Sequence, residues 1–393
     1  MTPPVLAATA KLRVDVFRTL EEAEPFWRAL ESTAVLTPYQ RYDWMAGFAA
    51  AGGECGGRFA ILALSDDGGP LALLPLVLEP PRFGVTRARL IGSCISNSDW
   101  PIIAAEATNL TRHDLLHALR HASRTTGFDL LSLHNQPRSW AGIPNPMLQF
   151  HHGMAASGLY CGKIERGDGP FREHGLSRKE RKNVERGMRR LEEGHGAVAL
   201  RRATDPDALR CVHAAFLDQR GRRLGEMGVE NVFAEDWFVR FFQNLAAHGF
   251  EEAHPALAFH ALYAGDEIVA TCCGAYSGTH YSMYMNSTTT GPAARVSLIS
   301  ILMALLMDDL LETGVRSIDM GIGDFEYKRI WTDQEPVFDS VIPLTARGYL
   351  AAPGLAIGRR AKRAIKQSPR LWTAAQNVRQ WRHQSRRFMR GDG

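Results

Sequence analysis

The chain reads as an α/β protein of the α+β kind, with mixed, largely antiparallel sheets flanked by helices. Three observations predict this. Residues 256–263, 267–277 and 280–287 alternate apolar and polar side chains, and Gly265-Asp266 and Gly278-Thr279 join them. That pattern is a three-stranded antiparallel meander with two-residue turns. Residues 296–307 are apolar almost all the way round and too short to span a bilayer, which predicts a buried helix. From Arg316 to Trp331 an alternating strand runs into Gly321 and Gly323, and a dense group of polar side chains follows.

In the first half, residues 12–17 read as a strand and 21–31 as a helix, followed by an aromatic segment around Trp44. Strands at 59–64 and 71–78 are separated by Asp66-Asp-Gly-Gly69, a strong turn signal. Pro75 has no N–H, so the second of these strands is expected at a sheet edge or a bulge. A strand at 87–91, a helix at 110–124 and a strand at 128–133 follow, and Pro137, Pro144 and Pro146 mark the link to the second half. There Ser177 caps a helix that runs to Glu193 and stops at Gly194, with Glu180 completing a capping box. Its Arg178, Lys179, Arg181, Lys182, Arg186, Arg189 and Arg190 read as a solvated face or as an electropositive wall beside an anionic ligand. Helices at 206–223 and 235–248 precede the meander.

A length of 393 residues predicts two to three domains with ample core. Hydrophobic content of 45% and charged content of 22% are ordinary for a soluble globular protein. The net charge of +4 is unevenly spread: residues 351–393 hold eleven Lys/Arg and one Asp, leaving 35 basic against 41 acidic residues elsewhere. Six cysteines without CxxC spacing predict structural thiols and no metal. Met1–Ala10 has no cationic region leading into an apolar core, so no secretory signal is expected and a cytoplasmic location follows. Ser368-Pro369 opens a tail helix whose apolar stripe is Leu371, Ala375, Val378 and Trp381, ringed by arginines. It reads equally as an element lying on the inner face of a membrane or as a helix docked on the acidic body. Nucleic acid ranks third, for want of any reading motif beyond charge.

Several segments carry a family resemblance. Ser177-Arg-Lys-Glu-Arg-Lys182 opens the second half, and Asp319-Met-Gly-Ile-Gly-Asp-Phe-Glu-Tyr-Lys328 with Trp331 closes it. With Tyr39-Gln-Arg-Tyr-Asp-Trp44 and Leu71-Ala-Leu-Leu-Pro-Leu76, these resemble the GNAT acyltransferase superfamily. The nearer subgroup is that of the CelD-type acetyltransferases of cellulose biosynthesis, and the FemABX peptidyltransferases are more distant. Over residues 12–345 the resemblance implies two tandem GNAT-like modules, 12–150 and 160–345, ahead of a basic tail at 351–393. It implies an N-acyltransferase that takes acetyl-CoA or a longer acyl-CoA. The implied acceptor is an amine on a sugar or other cell-envelope or exopolysaccharide precursor. The FemABX side implies an alternative, transfer from aminoacyl-tRNA. A third reading, a non-catalytic accessory of polysaccharide synthesis, rests on the sparse glycine loop and the basic tail.

Acyl transfer from a thioester to an amine needs a phosphate cradle, a neutral amine, an oxyanion donor and a proton for the leaving thiolate. The resemblance places the cradle at the loop-to-helix junction, here Gly291, Arg295, Val296 and Ser297. Only one glycine precedes Pro292, a departure from the usual glycine-rich loop. Tyr327 matches the phenol that protonates the thiolate. Asp324 is the first candidate for the base, with Glu326 and Asp319 behind it. Lys328 resembles a motif lysine that contacts an anionic acceptor. Asn286 and Tyr284, near the end of the last meander strand, are candidates to touch the substrates. The plainer readings are a turn-satisfying Asn286, a surface salt bridge for Lys328 and a structural His280.

Overall fold

The computed structural model describes residues 12–54, 57–107, 110–368, 370, 371 and 373. Met1–Ala10, Cys55 and the tail positions Ala375, Val378 and Trp381 lie outside them. The chain divides into two compact units. One takes the residues up to Tyr42, Glu54–Met154 and Phe338–Ile357, and the other takes Asp43–Gly53, Ala155–Val337 and the residues from Gly358 on.

Among the described residues the first unit carries a nine-stranded sheet. Its main path runs Arg13–Phe17, Arg58–Asp66, Gly69–Leu78, Arg87–Leu90, Leu130–Pro137, Val337–Pro343 and His152–Met154. Alternation along the two long strands puts Leu62, Leu64, Leu74 and Leu76 into one core with Leu115 and Leu119 of the helix Arg112–Thr126. Thr111 and Asp114 form a capping box at the start of that helix, and Gly127, at φ 84°, ends it.

Pro75 lies in an interior strand, not at an edge. Gly69–Leu78 pairs with Arg58–Asp66 on one side; on the other, Ala72 and Leu73 meet one strand and Leu76–Leu78 another. Pro75 falls between those two partners, and its carbonyl accepts from Ile91 N–H at 2.9 Å. At that break a missing N–H leaves no ladder bond unmade.

The helix Ala346–Gln367 also differs from expectation, because it already occupies the stretch before Ser368 where the sequence suggests a start. It is seated on Asp129, whose carboxylate accepts from Thr86 N–H (2.9 Å) and the Thr345 hydroxyl (2.6 Å). Gly348 is buried against the Asp129 carbonyl, which a Cβ would approach to 2.1 Å.

In the second unit the described strands form a seven-stranded sheet. The order is Val198–Arg202, Ala258–Ala264, Glu267–Ser277, His280–Thr288, Ser317–Ile322, Leu159–Lys163 and Asp333–Glu335. The predicted meander is its centre. Every pair is antiparallel except His280–Thr288 beside Ser317–Ile322. The buried helix Leu298–Glu312 shares one core with that pair: Ile301, Leu302 and Leu306 cluster with Tyr281, Met283 and Ile318. Helices Pro206–Glu226 and Asp236–Ala247 bring a separate aromatic group, in which His213 is ringed by Phe216, Phe242 and Phe259. Trp44 joins it, edge-on to Phe241 and Tyr284.

His213 and His260 are fully buried, and among the described residues neither ring finds a hydrogen-bond partner. Burial pushes His213 down from 6.5 to about 4 and His260 to about 3. Both are therefore neutral in the folded protein, whereas the unfolded chain protonates them near 6.5. The stability is intact above pH 6.5 and is lost as the pH falls through that value toward 4. Melting temperature should drop steeply across this window. His213→Phe keeps a flat ring in the aromatic cage and should remove about 3 kcal/mol of the acid sensitivity. Thermal melts at stepped pH test this, and an unaltered profile in the variant would place the acid sensitivity elsewhere.

Candidate functional site

The site begins where the parallel pair comes apart. His280–Thr288 and Ser317–Ile322 are in register only at His280↔Ser317, Tyr281↔Ile318 and Ser282↔Asp319. Beyond this, each strand continues with a different neighbour. His280–Thr288 keeps to Glu267–Ser277 as far as Thr288, and Ser317–Ile322 keeps to Leu159–Lys163 as far as Ile322. A bulge opposite Cys273 and Gly274 inserts Tyr284 into the ladder at the point of separation. A bulge bends its strand and increases its twist, which drives the two strands apart. The facing backbone groups of 283–288 and 320–322 are thus left without each other as partners.

A buried polar clamp holds the closed end. Asp319 is completely enclosed. Its carboxylate accepts from His280 Nε2 (2.9 Å), from the Ser282 hydroxyl and from Gly321 N–H (2.9 Å). His280 Nδ1 meets Ser317 Oγ at 2.8 Å. Nε2 thus faces the carboxylate and Nδ1 the Ser317 hydroxyl, and the two contacts fix the orientation of the ring.

At the open end Asn286 Nδ2 donates to Tyr327 Oη at 2.9 Å. Burial pushes the Tyr327 phenol above its usual 10, against the downward pull of Asn286, Arg220 and Arg223. The phenol is therefore protonated at neutral pH. Helix Pro206–Glu226 is tied to the sheet just beside it. Gln219 donates to the Ile268 carbonyl (2.9 Å) and accepts from the Ser287 hydroxyl (2.7 Å). The next residue, Arg220, lies 5.6 Å over the Phe233 ring with its Nε buried and unpartnered among the described residues. Burial and neighbouring Arg223 push its pKa down. No described carboxylate pairs with Arg220 or Arg223, and both act on Tyr327 as neighbouring positive charges.

Lys328 is buried and donates to the carbonyls of Ile322 (3.1 Å) and Gly321 (3.4 Å). It lies between the Tyr160 and Phe325 rings, at 5.4 and 5.5 Å. Burial pushes its ammonium down to about 8, with Asp319 and Asp324 opposing. It thus pins the Gly321–Gly323 turn, whose glycines take φ of 70° and 103°. Asp324 is exposed and accepts from Tyr160 Oη at 2.6 Å and from Arg329 at 2.9 and 3.1 Å. Tyr160 foremost, then Arg329, hold it below the usual carboxylate range. A carboxylate so held is a poor proton acceptor at neutral pH. Glu326 is exposed on the same turn.

At the other predicted locus, Gly291 precedes the 3-10 turn Pro292–Arg295 and Ser297 opens helix Leu298–Glu312. Ser297 makes no capping bond; its hydroxyl meets Ser300 Oγ at 2.8 Å. Arg295 is exposed and Val296 half-buried. The predicted basic helix, Arg178–His195, runs past this junction because Gly187 has no side chain: a Cβ there would lie 3.2 Å from Ile301 and 3.9 Å from Val296. Of the capping box expected at its start, Ser177 Oγ accepting from Glu180 N–H is present, at 3.2 Å.

The structure thus joins Tyr327 to Asn286 directly and sets Asp319 and Lys328 behind them, while Asp324 and Glu326 stand outward. Tyr284 packs its ring against Trp44 and Phe242. Arg220, Arg223 and Gln219 were not singled out from the sequence. On a helix rich in arginine, nothing in the pattern separates an inward cation from a solvated one. Among the described residues, no three His, Cys, Asp or Glu side chains converge as metal ligands do.

Residues 178–329 match the family model described as an acetyltransferase (GNAT) domain. Among solved structures the chain is similar to FemX, with a TM-score of 0.58 at 12% identity, covering 86% of this chain and 98% of that one. It is also similar to a conserved protein of unknown function from Bacteroides thetaiotaomicron, with a TM-score of 0.51 at 9% identity, covering 84% and 100%. Comparison with curated proteins returns no match. The splayed parallel strands and the helix that follows the loop thus lie within the stretch, residues 178–329, that matches the GNAT acetyltransferase domain, and the fold is similar to that of FemX.

Proposed function

We propose that the protein is an acyl-CoA-dependent N-acyltransferase acting on an anionic amine, such as a sugar or cell-envelope precursor. The observation that carries this reading is the gap between the parted parallel strands, with a protonated tyrosine at its mouth. The acyl thioester enters the gap, and backbone N–H groups of the strand beyond Ser282, where the parallel register with Ser317–Ile322 ends, take the developing oxyanion. Asn286 orients the Tyr327 hydroxyl, which protonates the leaving thiolate. The cofactor's phosphates meet the N-terminus of helix Leu298–Glu312 at Val296 and Ser297, near Arg295 and the basic helix. Arg220 and Arg223 hold the anionic group of the acceptor. Lys328 positions the turn that carries Tyr327. Asp319 is saturated with donors and Asp324 is ion-paired, so the amine gives its proton to solvent before it attacks, and the proton it sheds as the amide forms restores the Tyr327 phenol.

A second reading keeps the fold and changes the donor to aminoacyl-tRNA, with phosphates along the basic helix Arg178–His195. Calorimetric titration with acetyl-CoA and longer acyl-CoAs separates the two. Binding supports the acyl-CoA reading, and no heat at millimolar concentration together with salt-sensitive retention of charged tRNA supports the other.

Three outcomes follow from the assigned roles. Tyr327→Phe keeps the ring and removes the proton, so kcat should fall roughly 10²–10⁴-fold with KM little changed. Arg220→Ala should instead raise the acceptor's KM at least tenfold, roughly the value of one charged hydrogen bond, and leave donor affinity unaltered. Equal small losses in both variants would remove the site from this mouth. Lys328 is charged below about pH 8 and neutral above it. Its grip on the two turn carbonyls therefore weakens as pH rises, and kcat should show a descending limb near 8 that Lys328→Arg removes. Steady-state kinetics from pH 6 to about 10, within the span of the lysine and tyrosine titrations, checks all three.

A further inference from the structure

The helix Ala346–Gln367 and the sequence just after it join two properties. From Ala346 to Leu371 the sequence has seven Arg and Lys and no Asp or Glu. Its large apolar side chains nevertheless face outward: Leu350 is 84% exposed, Ile357 63% and Tyr349 57%. At about 3.6 residues per turn, Leu350, Ile357, Ala361 and Ala364 fall in one stripe. Arg360 and Lys362, both exposed, stand on either side of it.

A nucleic acid would engage the cations and leave Leu350 and Ile357 in water. An ordinary solvated helix would carry acids among its bases and little apolar surface. Apolar side chains flanked by cations suit a surface that is anionic outside and greasy beneath. We propose that this helix docks the protein on an anionic lipid bilayer, lying in the plane of the interface with Leu350 and Ile357 inserted. Among the described residues no helix is long and apolar enough to cross a membrane, so the contact is a peripheral one.

Cosedimentation of the full chain with vesicles tests this. The vesicles are phosphatidylcholine alone or an equimolar mixture with phosphatidylglycerol. Binding is expected to the mixture only, weakening with added salt. Arg360→Gln with Lys362→Gln should weaken it roughly 30-fold, about fivefold for each cation lost. Leu350→Glu with Ile357→Glu should abolish it at an unchanged melting temperature, since both side chains are exposed. The proposal is overturned if the mixed vesicles do not carry the protein down, or if the leucine and isoleucine changes leave binding intact. It is equally overturned if duplex RNA displaces the vesicles and still binds the Leu350→Glu/Ile357→Glu variant.

Discussion

The buried carboxylate of Asp319 is the constraint on which the second unit's architecture turns. Removing a charge from water is costly unless donors replace the water, and here an imidazole, a hydroxyl and a backbone N–H do so. Two of those donors, His280 and Ser282, belong to the neighbouring parallel strand. The carboxylate therefore cross-links the pair over the three residues where they are in register. Its third donor, Gly321 N–H, sets the exit of the strand into the glycine turn. Beyond the clamp, the bulge at Tyr284 and the two glycines send the strands to different neighbours. Closed and open ends thus follow from one local balance, and the residues of the mouth are placed by it.

Around that mouth burial shifts the ionisation of several groups, and in a consistent sense. It raises the Tyr327 phenol, lowers the Lys328 ammonium and lowers Arg220. Each shift favours the neutral form, as expected where low-dielectric surroundings disfavour charge. Asp324 and Arg329 on the exposed side of the same turn form an ordinary ion pair that keeps its charge. The turn therefore has a solvated charged face and an enclosed face, and the enclosed face holds the hydroxyl that can move a proton. Such displacement of ionisation is common at functional sites, and here it coincides with the parting of the parallel strands and with a buried Arg220 Nε that has no partner among the described residues.

Much of the fold is legible in the chain because periodicity and caps are local. The meander, the helix capped by Ser177 and the apolar helix after Gly291 follow from alternation, from one hydroxyl and from an all-round apolar run. The candidate site is legible in part. Tyr327 and Asn286 stand out by motif and strand position, yet nothing local says that one donates to the other across 41 residues. Asp324 looks like the freest acid of its motif, and only the folded turn brings Tyr160 from another strand to hold it ionised.

By itself the sequence determined the element types, the strand-turn motif and the uneven charge, since each depends on neighbours a few residues apart. Tertiary structure decided which strand lies beside which, and so where the parallel pair parts and which polar groups are buried. It decided that Pro75 sits inside a sheet, at a change of partner that no local pattern encodes. It decided too that Arg220 turns inward while Arg222 pairs with Asp218 at the surface. Burial and ionisation depend on atoms brought from distant parts of the chain, and packing alone brings them together.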